Sequence, residues 1–199
     1  MDETNTRWRS WLRRLADGDG EIVEQFWAQY GARLQSLAAA HLNARMRRRE
    51  APEDVVQSVC RTFFRRVQAG KFEIADRESL WRLLCAITLA KTRQKARFHC
   101  SARRSVNQED TVAPAGEGTQ AAFREPAAEQ PAPDEEAEFL EELELLLDGL
   151  DEEERRLLEL KLQECTNEEA AEKMGCSERT VRRILKRVQN RLRKILDEP

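Results

Sequence analysis

The chain has 199 residues, enough for one domain or two small ones, with 40% hydrophobic and 36% charged residues, 8 glycines and 6 prolines, a balance that favours soluble and mostly helical structure. No apolar run approaches the ~18 residues of a membrane span, and MDETNTRWRS is no basic-then-apolar export leader, so the expected place is the cytoplasm with no membrane partner. The net charge of −3 hides an asymmetry: residues 1–110 carry 21 basic and 14 acidic side chains, 111–150 carry 1 and 11, and 151–199 carry 12 of each, which points to a nucleic-acid partner.

Trp8, Trp11, Leu12 and Leu15 recur at the spacing of one helix face, and Asp17-Gly18-Asp19-Gly20 ends that helix. Ile22, Val23, Phe26, Trp27, Tyr30, Leu34, Leu37 and His41 predict a longer second helix. The polar run RMRRRE connects it to a third. Pro52 suits the first turn there, Glu53 and Asp54 suit its positive end, and Val55, Val56, Val59, Cys60, Phe63, Phe64 and Val67 form its inner face. Gly70 stops it. After KFEIADRE, a fourth helix buries Leu80, Leu83, Leu84 and Ile87, with Trp81 beside them. Beyond Ala90 basic residues take over: Lys91, Arg93, Lys95, Arg97.

These four amphipathic helices predict a small helical domain over 6–103. From 104 to 135 periodicity disappears; VAPAGEGTQAAFREPAAEQPAPDEE cannot bury enough apolar area to offset ordering entropy and reads as a flexible acidic linker. A second helical domain is expected over 136–199. The fold class is thus all-α, two helical domains joined by the linker.

In the second domain Phe139, Leu140, Leu143, Leu146 and Leu147 line one helix face. Asp151 and Glu154 have the spacing of a capping box before Leu157, Leu158, Leu160 and Leu162, and Thr166 and Glu169 repeat it before the next helix. Ala170, Ala171 and Met174 make a slim inner face. Gly175 supplies the turn, Ser177 caps the last helix, and Val181, Ile184, Leu185, Val188, Leu192 and Ile195 form its inner stripe. This is a helix-turn-helix whose second helix can enter a DNA major groove. From Arg179 to Lys194 there are eight basic side chains and no acidic one. Ser177, Arg179, Thr180, Arg182, Arg183, Lys186 and Arg187 are the candidate DNA-binding residues: phosphate contacts give affinity, and arginine favours guanine edges. A basic solvated face on an ordinary three-helix hairpin is the blander reading.

Three segments together resemble the bacterial extracytoplasmic-function group of RNA polymerase sigma factors. APEDVVQSVCRTFFRR resembles the group's A-E-D-L-V-Q-E-V-F-x-x-x-W, matched in order by Glu53, Asp54, Val55, Val56, Gln57 and Val59. SLWRLLCAITLAKTRQKARFH is similar to its S-F-x-x-W-L-x-x-I-A-x-N-x-x-x-D-x-x-R helix, and LDGLDEEERRLLELKLQECTNEEAAEKMGCSERTVRRILKRVQNRLRKIL resembles its fourth region. The resemblance spans about residues 8–103 and 138–196. Ser58 stands where the group usually has an acid, Cys60 where it has Phe and Thr92 near its Asn, and Trp81 is shifted from the usual Trp place.

The resemblance implies a sigma factor that binds core RNA polymerase and directs promoter recognition, DNA melting and transcription initiation. Helix 52–68 would dock on the clamp helices of the β′ subunit through Asp54 and Gln57, with Arg61 and Arg65 nearby. The loop 70–78 would hold an unpaired base of the downstream element, with Lys71 and Phe72 placed for it, and Lys91, Arg93, Lys95 and Arg97 would follow backbone phosphate. The helix-turn-helix would read the upstream element of promoter DNA and rest against the β-flap. The linker would thread the RNA path or serve as a plain solubilising tether. An anti-sigma factor is a common partner in the group, but no residue here identifies one. The alternative is a stand-alone helix-turn-helix regulator with an N-terminal sensory or dimerising domain.

An enzyme is not expected. The two histidines, His41 and His99, have no triad context, and no phosphate-binding glycine motif is present. Five cysteines without a C-x-x-C spacing argue against a zinc site or disulfide framework, so no metal and no cofactor are expected.

Overall fold

The computed structural model describes residues 3–42, 46–48, 50–72, 74–105 and 133–197. Among them there are eight α-helices and no strand: α1 (Glu3–Ala16), α2 (Gly20–His41), α3 (Pro52–Gln68), α4 (Arg77–Ser105), α5 (Pro133–Asp148), α6 (Glu152–Leu162), α7 (Asn167–Met174) and α8 (Glu178–Asp197). The all-α reading therefore holds. Most of the expected linker lies outside the described residues.

Local chemistry sets the helix ends. Asp19 caps α2 by accepting from the Glu21 N–H at 3.1 Å, and Arg14 binds both Asp19 (2.8 Å) and Glu21 (3.0 Å). That guanidinium holds the Asp19 carboxyl below its ordinary value. Pro52 starts α3, where its missing N–H costs nothing. Glu164 ends α6 with φ 71°, a left-handed conformation that a side chain adopts at a cost of about 1 kcal/mol. Its N–H bonds Lys161 O and the next N–H, of Cys165, bonds Leu160 O, so the last carbonyls of α6 are satisfied.

The first four helices enclose an aromatic core. Phe26 lies 5.6 Å from Phe63 with rings nearly parallel, Tyr30 stacks on Trp81, and Leu34, Val55, Val59, Leu80 and Leu84 fill the space around them. Trp81, placed beside the α4 stripe by its spacing, is buried, with the Arg33 guanidinium 3.9 Å over its ring. On α1, Trp8 stacks on Trp11 and donates to Ile74 O at 3.1 Å, tying α1 to the α3–α4 loop.

The last four helices do not stand apart. Phe139, Leu143, Leu146 and Leu147 of α5, with Leu150, Leu162 and Val188, belong to the same apolar cluster as the N-terminal core. A second cluster of Leu157, Leu160, Cys165, Ala170, Ala171, Val181 and Ile184 holds α6, α7 and the start of α8 together. Thus α8 spans two cores: its first half locks the helix-turn-helix, and its second half joins that unit to the rest of the molecule.

Candidate nucleic-acid interface

The helix-turn-helix is built as its sequence requires. Thr166 Oγ1 accepts from the Glu169 N–H (3.1 Å) and Glu169 Oε2 from the Thr166 N–H (2.7 Å), closing a capping box. Those backbone bonds hold the Glu169 carboxyl below its ordinary value. Ala170 and Ala171 are buried, so α7 approaches α8 closely. Gly175 sits at φ 64°, where a Cβ would be strained, and turns the chain while the Cys176 N–H bonds Ala171 O at 3.0 Å. Ser177 Oγ then accepts from the Thr180 N–H at 3.2 Å to start α8.

On α8, Val181 and Ile184 are buried, whereas Arg179, Arg182, Arg183 and Lys186 are exposed. Arg182 leans one turn back to Glu178 at 2.6 Å, but its side chain is 68% exposed and such a pair exchanges readily with phosphate. Arg179, Arg183 and Lys186 have no acidic partner among the described residues. Arg187 differs from its neighbours: its Nε donates to Glu154 Oε1 at 2.6 Å and its Nη2 to Asp151 Oδ2 at 2.9 Å.

The basic row of α4, expected to follow phosphate, is engaged within the free chain, three of its four residues by the C-terminal helices. Lys91 is 6% exposed, donating to Ser58 Oγ (2.9 Å) and Leu162 O (3.3 Å). Arg93 meets Asp148 at 3.2 Å, Arg97 meets Glu159 at 2.6 Å, and Lys95 pairs with Glu50. Further pairs line the same seam: Arg33 with Glu136 (2.8 Å), His41 with Glu144 (2.6 Å), and Arg66 with the Lys161 carbonyl (2.7 Å). The carboxylates of α5 and α6 thus stand where phosphates were expected. No sequence spacing reveals this, because the partners on α5 and α6 lie 51 to 103 residues away.

Burial between the helices pushes the Lys91 ammonium down from 10.5 to about 8. The unfolded chain keeps that proton up to the ordinary value, so between pH 8 and 10.5 it binds more protons than the folded chain. Stability from this group therefore rises with pH across that window, by up to about 1.4 kcal/mol per unit. Comparing denaturant midpoints of the native chain and Lys91→Met from pH 7 to 10 checks it: the substitution is expected to remove this rise, and parallel profiles would refute it.

The four residues expected on the polymerase-facing side lie on α3. Asp54, Gln57 and Arg61 are exposed, and Arg65 pairs with Glu164. In the α3–α4 loop Lys71 is exposed, whereas Phe72 is half-buried, stacked on Phe63 at 6.3 Å with Arg66 6.0 Å from its ring. One face of Phe72 is therefore already in use.

No described helix is long and apolar enough to cross a membrane, and no cluster of His, Cys, Asp and Glu among the described residues could hold a metal ion. A protein-family model described as ECF sigma factor matches residues 5–198. No curated protein matches the chain.

Proposed function

The chain belongs to the ECF sigma factor family, which acts in transcription initiation, and we propose that its two helical lobes divide that work. The N-terminal lobe binds core RNA polymerase through the outer face of α3, with Asp54, Gln57 and Arg61 as its polar contacts on the β′ clamp helices. The C-terminal lobe presents the N-terminal turns of α8 to the upstream promoter element, its Arg179, Arg182, Arg183 and Lys186 contacting phosphate and base edges, and rests against the β-flap. Lys71 and Phe72 take an unpaired base of the downstream element during melting.

The observation that carries this reading is the open basic face of α8 on a fully capped helix-turn-helix, together with an N-terminal α3 that leaves an exposed polar face. Arg93 and Arg97 are held by carboxylates in the free chain. Binding to polymerase and promoter separates the lobes, and these arginines exchange carboxylate for phosphate.

The test is association with bacterial core polymerase, followed by transcription from one promoter in a defined mixture. Asp54→Arg with Gln57→Ala is expected to weaken core association by at least about tenfold, since reversed charge at an interface costs over about 1.4 kcal/mol. Unchanged affinity would remove α3 from docking. A chain that footprints a two-fold operator without polymerase would instead be a stand-alone regulator.

A further inference from the structure

Glu154 is 2% exposed and ionisable, and no part of transcription initiation as described above uses it. Its Oε1 accepts from Arg187 Nε at 2.6 Å; its Oε2 accepts from Arg191 Nη1 at 3.0 Å and from the Asp151 N–H at 3.0 Å. Asp151 closes the ring: Oδ1 accepts from the Glu154 N–H (2.7 Å) and Oδ2 from Arg187 Nη2 (2.9 Å). Arg191 Nη2 also reaches Gly149 O at 3.2 Å. Two arginines one turn apart on α8 are thus fastened to the first turn of α6.

Helix capping alone does not require this. Thr166 and Glu169 make the same reciprocal box on α7 while exposed to water and without an arginine. At Glu154 the carboxylate is buried, and a buried charge persists only with opposite charge and hydrogen bonds around it. The bond to Arg187 and Arg191 is therefore obligatory while α6 keeps its place. The contact lies midway along α8, beyond the turns that carry Arg179 to Lys186, and so acts on the tilt of that helix as a lever.

We propose that Glu154 is a positioning residue for duplex recognition: it clamps α8 through Arg187 and Arg191, fixes the angle at which the N-terminal turns meet the groove, and withholds both arginines from phosphate. This rests on the reading of α8 as the duplex-facing helix. It makes Arg187 part of the support for the reading surface, not part of that surface. Tilt matters because base-edge contacts need a fixed register, whereas phosphate contacts tolerate a loose one.

The experiment uses the full chain and a fluorescent mixed-sequence duplex of about two helical turns, with affinity followed against salt. Each neutralised phosphate adds about 0.9 to the slope of log affinity against log salt. Glu154→Gln keeps an acceptor for the Asp151 N–H but removes the charge, releasing the arginines. Its slope is expected to steepen by about one to two, while preference for a sequence selected from a random pool falls about tenfold. Arg187→Ala is expected to lose the same preference but keep the native slope, whereas Arg183→Ala loses about one unit of slope. A slope that stays or falls in a folded Glu154→Gln chain overturns the clamp. So does a unit of slope lost in Arg187→Ala, which decides the matter if Glu154→Gln does not fold. No duplex binding by the unsubstituted chain, either alone or bound to core polymerase, in contrast, sinks the reading of α8 itself.

Discussion

Arg182→Glu with Arg183→Glu is expected to abolish recognition of the upstream element while leaving association with core polymerase intact. Both side chains lie on the exposed face of α8, away from the Val181 and Ile184 stripe that holds the helix in place. Loss of one arginine contact to a base or phosphate costs about 1–3 kcal/mol, and each reversal adds repulsion from the DNA backbone. Together they should weaken upstream binding by at least about a hundredfold. The fold should be nearly untouched. Surface substitutions fall within about 0.5 kcal/mol, and a carboxylate in place of Arg182, one turn from Glu178, adds a like-charge cost of a few tenths. Duplex binding by the polymerase complex, read by fluorescence anisotropy, measures the loss, and co-purification with core polymerase measures what is retained. A double variant that no longer binds polymerase would overturn the division of labour between the lobes.

What the sequence makes legible here is what is decided within about one helical turn. The Thr166–Glu169 box, the Gly175 turn and the Ser177 cap each involve residues no more than five apart, and each forms as the residue types dictate. The outer face of α8 is equally readable, because periodicity separates Val181 and Ile184 from Arg179, Arg182 and Arg183. Glu154 marks the boundary of that method. Its spacing from Asp151 correctly signals a capping box, but its burial depends on Arg187 and Arg191, 33 and 37 residues away. A signal was present: Glu154 stands three residues before Leu157, on the stripe that α6 buries. An acid on an apolar stripe calls for a cation from elsewhere in the fold.

The α4 row shows the same limit with a larger consequence. Lys91, Arg93 and Arg97 are basic residues at the end of a fading apolar pattern, and charge alone assigns them to phosphate. Charge does not tell a phosphate from a carboxylate brought up by tertiary packing. The α5 leucines are readable as an inner face, yet their partners are not, since apolar surface has no address. Burial of that face against the N-terminal core brings Glu144 and Asp148 onto the row, and Leu162 of α6, in the same cluster, brings Glu159.

On the proposed reading, that packing makes the closed chain a competitor of its own ligands, and Glu144→Lys with Glu159→Lys should open it. The new ammonium groups would face His41, Arg93 and Arg97 across the seam, and such like-charge contacts cost several kcal/mol at an interface. The radius of gyration from solution scattering is expected to rise by several ångström, roughly half of one helix diameter. Restoring opposite charge by adding Arg97→Glu to Glu159→Lys should close the chain again, which general loss of stability would not allow. Raising salt should loosen the native chain part of the way, since the seam pairs are only partly shielded from water. Closure also reduces apparent affinity for anything that binds the open form, by the fraction of chains that are open. The opened variant should therefore bind core polymerase more tightly than the native chain, by the same factor that its open population gains. Scattering that does not change on reversal would mean that the apolar contacts of α5 and α8 hold the lobes together without the seam. The α4 arginines would then remain inaccessible to phosphate until those leucines part.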